Sequence, residues 1–269
     1  MQLAHLDNSA QPLLSWLAGL SNAAGGWPYH LVALRHRRSL WTPYRLAVAQ
    51  LLRAWAPPEP ELVLIGPSAG WNLDPEFLSR FKVVHAIEPD PLARWLLRKR
   101  FPQVHWVMTA RDYFSPQGPT GWTANLAQLF ADYPSQALLF FGFLGQLIVL
   151  HPDAVAKEVD QQVVATAAFE RWKSVLCAQL AQRSWCSLHD RWVGHQPPKA
   201  QLLAGDGATF LLDASDPAQL WPQGAQVADV LTEGLVPSLN SCWLLWRRLP
   251  DRWHVMQAGW ARQPPPGAP

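Results

Sequence analysis

The stretch VLIGPSAGWNL, residues 63–73, decides how the rest of the chain is read. Its first residues form a short apolar run of the kind that makes a buried strand. Gly66 and Gly70 bracket a turn, and DPEFLSRF, residues 74–81, has the pattern of a helix. A strand that enters a glycine-bearing turn ahead of a helix can bring a ligand close to free backbone N–H groups. One glycine of the familiar spacing is replaced by Ser68, and Trp71 follows the turn directly. The stretch either holds a ligand or keeps only the outline of a site.

Outward from this point the chain alternates. KVVHAIE (82–88), VHWVMT (104–109), ALLFFG (137–142) and SWCSLHDRWVG (184–194) are strand-like. Helical patterns over residues 90–101, 122–131 and 153–182 separate them. Short apolar runs between amphipathic helices predict a parallel sheet covered on both faces. SCWLLWRR (241–248) and RWHVMQAGW (252–260), joined by a tight turn, predict an antiparallel hairpin. Upstream, QPLLSWLAGL (11–20) and SLWTPYRLAVAQLLRAW (39–55) have helical spacing, with a break expected at GGWPY, residues 25–29. The prolines of APPEPE (56–61) mark the boundary before the sheet. The expected fold is α/β, Rossmann-like and doubly wound. It has a mostly parallel seven-stranded sheet with a C-terminal antiparallel hairpin, preceded by an N-terminal helical segment. The expected units are a helical cap over 1–58, the α/β domain over 59–262 and a disordered tail over 263–269.

At 269 residues the chain can bury a substantial core. A net charge of +2 is too small to argue for nucleic acid. The longest apolar run, residues 137–150, is too short to span a bilayer and contains Gln146. Cys177, Cys186 and Cys242 form no C-x-x-C pair, so neither a zinc site nor a disulfide framework is expected. With no secretory pattern at the N-terminus, a cytoplasmic location is expected. Neither a G-x-S-x-G elbow nor a Walker motif is present.

Glu88 closes the strand after the turn, 22 positions beyond Gly66. An acid at that place can accept hydrogen bonds from the ribose of a nucleotide-like cofactor. Together IGPSAG, AIEPDPLARWLL, TARDYF and the final hairpin resemble a class I S-adenosylmethionine-dependent methyltransferase, over roughly residues 62–260. The resemblance implies S-adenosylmethionine as cofactor, Glu88 on its ribose, and Gly66, Ser68 and Gly70 beneath it. Departures from the family pattern are plain. The first motif's acid is Leu64 and its middle glycine is Ser68. At the third strand's end Thr109 stands where the family has an acid for the adenine, with Asp112 as a substitute. An NAD-dependent reading fits less well, because the last glycine of G-x-G-x-x-G is missing.

The fourth strand ends FFGFLGQL without the Asn/Asp-Pro-Pro of amine-modifying members, leaving Gln146 as its polar group. His189, Asp190, Arg191 and His195 form the densest polar cluster, placed near the end of the fifth strand. A histidine beside an acid can serve as general base, so His189 and Asp190 are candidates alongside Gln146. Asp229 and Glu233, four apart in ADVLTEGLVP, read as a solvent-facing pair. LRHRRSLWTPYR (34–45) gathers Arg35, Arg37, Arg38 and Arg45, and Arg38 or Arg45 could meet a cofactor carboxylate. The expected function is methyl transfer to a small or medium-sized acceptor. Neither metal, nucleic acid nor membrane is expected as a partner. The alternative is a catalytically inactive relative acting in binding or assembly. If the turn binds cofactor, Gly70→Val should block the ligand and leave the fold intact. A Trp71 or Phe143 ring over Gly66–Gly70 would close the site and decide for the inactive relative.

Overall fold

Alternating burial builds the molecule around one sheet. In the computed structural model, residues 26–111, 113–114, 121–144, 159–198, 210–211, 226–227 and 241–263 are described. Helices α1 (Gly26–His36) and α2 (Thr42–Trp55) lead into β1 (Glu61–Ile65). There follow α3 (Pro75–Leu78), β2 (Val83–Ile87), α4 (Pro91–Arg100), β3 (Trp106–Thr109), α5 (Gly121–Asp132), β4 (Ala137–Phe141), α6 (Val159–Leu180) and β5 (Trp185–Gly194). Two short pieces, β6 (Phe210–Leu211) and β7 (Gln226–Val227), precede the hairpin of β8 (Ser241–Leu249) and β9 (Arg252–Ala261).

The strand order is β3-β2-β1-β4-β5-β9-β8-β6, with β7 paired to β5. β1 to β5 pair in parallel, and β9 is antiparallel to both β5 and β8. The seven long strands are the expected ones, and β6 and β7 add two residues each to the sheet's periphery. β1 lies between β2 and β4, which is where the strand order reverses.

The centre of the sheet is covered on both faces, which is why β4 is buried at every position. Leu62, Leu64, Leu139 and Phe141 point to one core with Val48, Leu51, Leu52 and Trp55 of α2 and Leu97 of α4. Val63, Ile65, Leu138 and Phe140 point to the other with Leu126, Leu129, Phe169, Trp172 and Leu176. The N-terminal helices are fastened to the hairpin by indoles. Trp41 Nε1 donates to the Arg248 carbonyl and Trp55 Nε1 to the Ala261 carbonyl, each at 2.9 Å. Tyr44 stacks on Trp246 at 5.2 Å.

Two local expectations are corrected. Residues 26–29 of the expected break are helical, because α1 begins at Gly26, and what precedes them lies outside the described residues. Pro28 falls in its first turn, where a missing N–H costs nothing. The helix expected over 74–81 is a single turn, α3, capped by Asp74 accepting from the Glu76 N–H at 3.3 Å. Between Gly66 and Asp74 the chain has no helix, so none follows the turn directly. Residues 11–20, 153–158 and the tail 264–269 lie outside the described residues. Among the described residues no helix is long and apolar enough to cross a membrane.

Candidate functional site

The chain leaving β1 passes over the reversal of strand order, the place where open parallel sheets hold ligands. It does so through three left-handed residues, Gly66, Ser68 and Gly70, with φ of 66°, 49° and 63°. A left-handed serine costs about 1–2 kcal/mol. Glu88 offsets that cost. Its Oε2 accepts the Ser68 N–H at 2.8 Å and its Oε1 accepts the Asp90 N–H at 3.0 Å. Arg94 donates to the Glu88 and Pro89 carbonyls instead of the carboxylate. Glu88 is 6% exposed. Burial pushes its carboxyl up to about 7, against the pull of the two N–H donors.

Three further turn donors are also paired. Gly66 N–H bonds to the Ile87 carbonyl, Gly70 N–H to Pro67 and Leu73 N–H to Gly70. The two glycines face different neighbours. A β-carbon at Gly66 would lie 2.9 Å from the Phe143 β-carbon and 3.0 Å from its ring. Phe143 in turn packs on Phe114 at 4.4 Å between ring centres. Residues just past β4 and β3 thus meet beside the end of β1. Gly70, expected to admit the cofactor, has another role. A β-carbon there would strike Leu97 and Phe101 at 2.9 Å, both in the core. Gly70 is a packing glycine, and the expectation for Gly70→Val is overturned on that ground.

Thr109 ends β3. Its carbonyl accepts the Glu88 N–H at 3.1 Å and its hydroxyl accepts the Arg111 N–H at 3.0 Å. Asp112 and Gln146 lie outside the described residues, as do Asp229 and Glu233.

Trp71 packs against α1. Its Nε1 donates to His30 Nδ1 at 3.0 Å. That bond leaves the imidazole proton on Nε2, which faces Asp90 Oδ2 at 3.4 Å. Trp71, His30 and Asp90 are 2%, 2% and 5% exposed, so the relay is shielded from water. Asp90 Oδ1 also accepts the Leu92 N–H at 2.8 Å and caps α4. Burial pushes the Asp90 carboxyl up, but His30 and the capped N–H groups hold it below its ordinary value. His30 could not be found from the sequence, where it is one polar residue on an amphipathic helix.

The histidine cluster is rearranged. β5 runs to Gly194, so His189 and Asp190 sit within the strand and not at its end. His189 is fully buried, with Nδ1 2.9 Å from the Ser187 hydroxyl. Burial and then the Arg191 charge push it down to about 3, which keeps it neutral. Its ring belongs to the core and has no solvent-side face for a base to use. Asp190 Oδ1 instead accepts from His254 Nδ1 of β9 at 2.9 Å. Burial pushes the Asp190 carboxyl up, and the pull of His254 and Arg248 outweighs it. His195 is exposed beyond the strand. Arg45 donates to the Arg37 carbonyl at 3.2 Å, and the arginine that reaches the turn is Arg100, whose Nη1 donates to the Ala69 carbonyl.

No family model matches the sequence, and no curated protein matches it. Among solved structures the chain is similar to the N-methyltransferase NodS from Bradyrhizobium japonicum WM9. The identity is 11% and the TM-score 0.39, with 81% of this chain and 96% of that one covered. It is also similar to magnesium protoporphyrin IX methyltransferase (ChlM) from Synechocystis PCC 6803 with bound SAH. There the identity is 9% and the TM-score 0.38, over 93% and 94% of the two chains. A third is SAM-bound CalS10, an amino pentose methyltransferase from Micromonospora echinaspora, at 15% identity and a TM-score of 0.32, over 95% and 99%.

Proposed function

We propose that the chain binds S-adenosylmethionine over the end of β1 and transfers its methyl group to a small or medium-sized acceptor, with α1 and α2 as a cap. The observation that carries this reading is Glu88. A carboxylate buried at the end of β2, beside the reversal of strand order, is costly to keep. Each of its oxygens accepts one backbone N–H and retains further acceptor capacity for the ribose hydroxyls. Gly66 and the backbone at Ser68 form the floor, and Thr109 lines the adenine side. When bound, the sulfonium supplies an electrophilic methyl group. Alignment of the acceptor contributes most to such a transfer, so the buried His189 is not needed as a base.

Phe143 has to move for the cofactor to enter. It is only partly buried and follows Gly142, a left-handed residue with φ 75° and no atom within 4 Å of its missing β-carbon. That segment has room to swing. In calorimetric titration, S-adenosylmethionine and S-adenosylhomocysteine should bind and NAD should not. Phe143→Ala should tighten binding. Glu88→Ala should weaken it by about 1.5–3 kcal/mol, the loss expected for hydrogen bonds to a charged acceptor. Asp90→Ala should instead lower stability by about 1 kcal/mol through the lost α4 cap, with a smaller change in affinity.

The packing of Phe143 on Gly66 and the pairing of the Gly66, Ser68, Gly70 and Leu73 N–H groups favour a second reading. In it the protein is a methyltransferase-like binding or assembly factor with a filled site. Absence of heat with either adenosyl ligand, in the wild type and in Phe143→Ala alike, would decide for that reading.

A further inference from the structure

Two arginines from separate parts of the chain lie over Trp71, and a third adjoins them. The Arg100 guanidinium, at the end of α4, lies 4.1 Å from the indole centre, and that of Arg37, in the α1–α2 turn, lies 5.3 Å from it. Arg45 of α2 donates to the Arg37 carbonyl, and its charge also acts on Arg100. All three are partly buried. Among the described residues, none of the three forms an ion pair, the Asp74 carboxylate acting on Arg45 only from a distance, whereas Arg53, Arg111 and Lys173 each pair with a carboxylate. The protein uses little of their donor capacity. Arg100 gives one N–H to Ala69 and Arg45 gives one to Arg37, while the buried Nε of Arg45 has no partner. A guanidinium has five donors, so most of them face no protein acceptor. Burial pushes Arg100 down to about 10, and the charges of Arg37 and Arg45 push in the same direction. Like charges held this close oppose folding unless an anion joins them.

We infer that Arg37, Arg45 and Arg100 form a binding site for a phosphate group, beside Trp71 and behind the turn that follows β1. Phosphate suits the arrangement because guanidinium forks match its oxygens in pairs. A phosphomonoester presents three oxygens to three forks, and its double charge balances most of theirs. Through Arg100 and the Ala69 carbonyl, the bound group would brace the turn between Ser68 and Trp71. The site is independent of methyl transfer and stands whether or not the adenosyl cofactor binds.

The test is thermal melting and calorimetry of the full chain in inorganic phosphate, in glycerol phosphate and in chloride at matched ionic strength. Phosphate or glycerol phosphate should raise the melting midpoint by about 3 °C or more over chloride. Tighter binding of glycerol phosphate assigns the site to phosphomonoesters, and equal binding assigns it to free phosphate. Arg37→Gln and Arg45→Gln should each weaken binding about tenfold or more. In chloride both variants should melt no lower than the wild type, because a like-charge contact has been removed. A merely structural role would lower their melting points instead. Arg98→Gln, on the exposed side of α4, should respond as the wild type does. Equal melting in phosphate and chloride would overturn the assignment, as would an undiminished response in the Arg37→Gln/Arg45→Gln double variant.

Discussion

Gly70→Ala is expected to destabilise the folded chain by about 2–5 kcal/mol. Two costs combine. With φ at 63°, a residue carrying a β-carbon is strained by about 1–2 kcal/mol. The new methyl group would also meet Leu97 Cδ2 and Phe101 Cε2 at 2.9 Å and Leu73 Cδ1 at 3.0 Å. Leu73 and Leu97 are at most 1% exposed and Phe101 is 2% exposed, so none can retreat into solvent. Overpacking of this kind costs about 1–3 kcal/mol. Urea unfolding should show a lower midpoint with an unchanged slope. Gly66→Ala has the same backbone strain, and because its nearest neighbour is the Phe143 β-carbon, the segment after Gly142 must shift as a whole to make room. A loss below about 0.5 kcal/mol for Gly70→Ala, the range of ordinary surface substitutions, would show that the loop repacks freely.

The second large effect is the pH dependence contributed by Glu88. Its carboxyl is raised from 4.5 to about 7 in the folded chain, chiefly by burial. Between these values the folded state holds a proton that the unfolded state has released. Stability from this group is therefore greatest below about 4.5 and falls as pH rises through 7. The shift corresponds to about 3 kcal/mol across that window. Glu88→Gln cannot titrate. It has its own fixed cost, because its amide nitrogen must face one of the two backbone donors, Ser68 N–H or Asp90 N–H. Stabilities of the two proteins measured from about pH 4 to 8 should converge by about 3 kcal/mol, the wild type losing ground as pH rises. Parallel profiles would show that the carboxylate is already ionised throughout and is better solvated than its burial implies.

Much of the fold is legible because burial has a period. β1 and β4 lie on apolar runs, since each is covered on both faces. α2 buries Val48, Leu51, Leu52 and Trp55 at helical spacing. The hairpin of β8 and β9 follows from two apolar runs with Leu249, Pro250 and Asp251 between them. These patterns are local, and a sheet covered by helices is the arrangement that hides them all. The 22-residue interval from Gly66 to Glu88 also belongs to the sequence. It is the length needed to leave one strand, return and run up the next, so both residues arrive at the same edge.

The helix expected after the turn fails for a local reason that periodicity hides. Residues 66–74 turn repeatedly through left-handed backbone, and α3 is left with one turn. The character of the site depends on directions that no local pattern encodes. Gly66 and Gly70 look alike in sequence, yet the absent β-carbon of one points at Phe143 and that of the other at Leu97 and Phe101. His189 and Asp190 are adjacent, but alternation along β5 sends one into the core and pairs the other with His254, 64 residues away. Arg100 meets Arg37 around a single indole because α4 ends beside the α1–α2 turn. Period and spacing in the sequence determined the sheet, its cover and the edge at which a ligand would lie. Only the tertiary structure decided which side chains face that edge. The reason is that a contact between distant segments depends on how elements pack, and packing has no signature within any one of them.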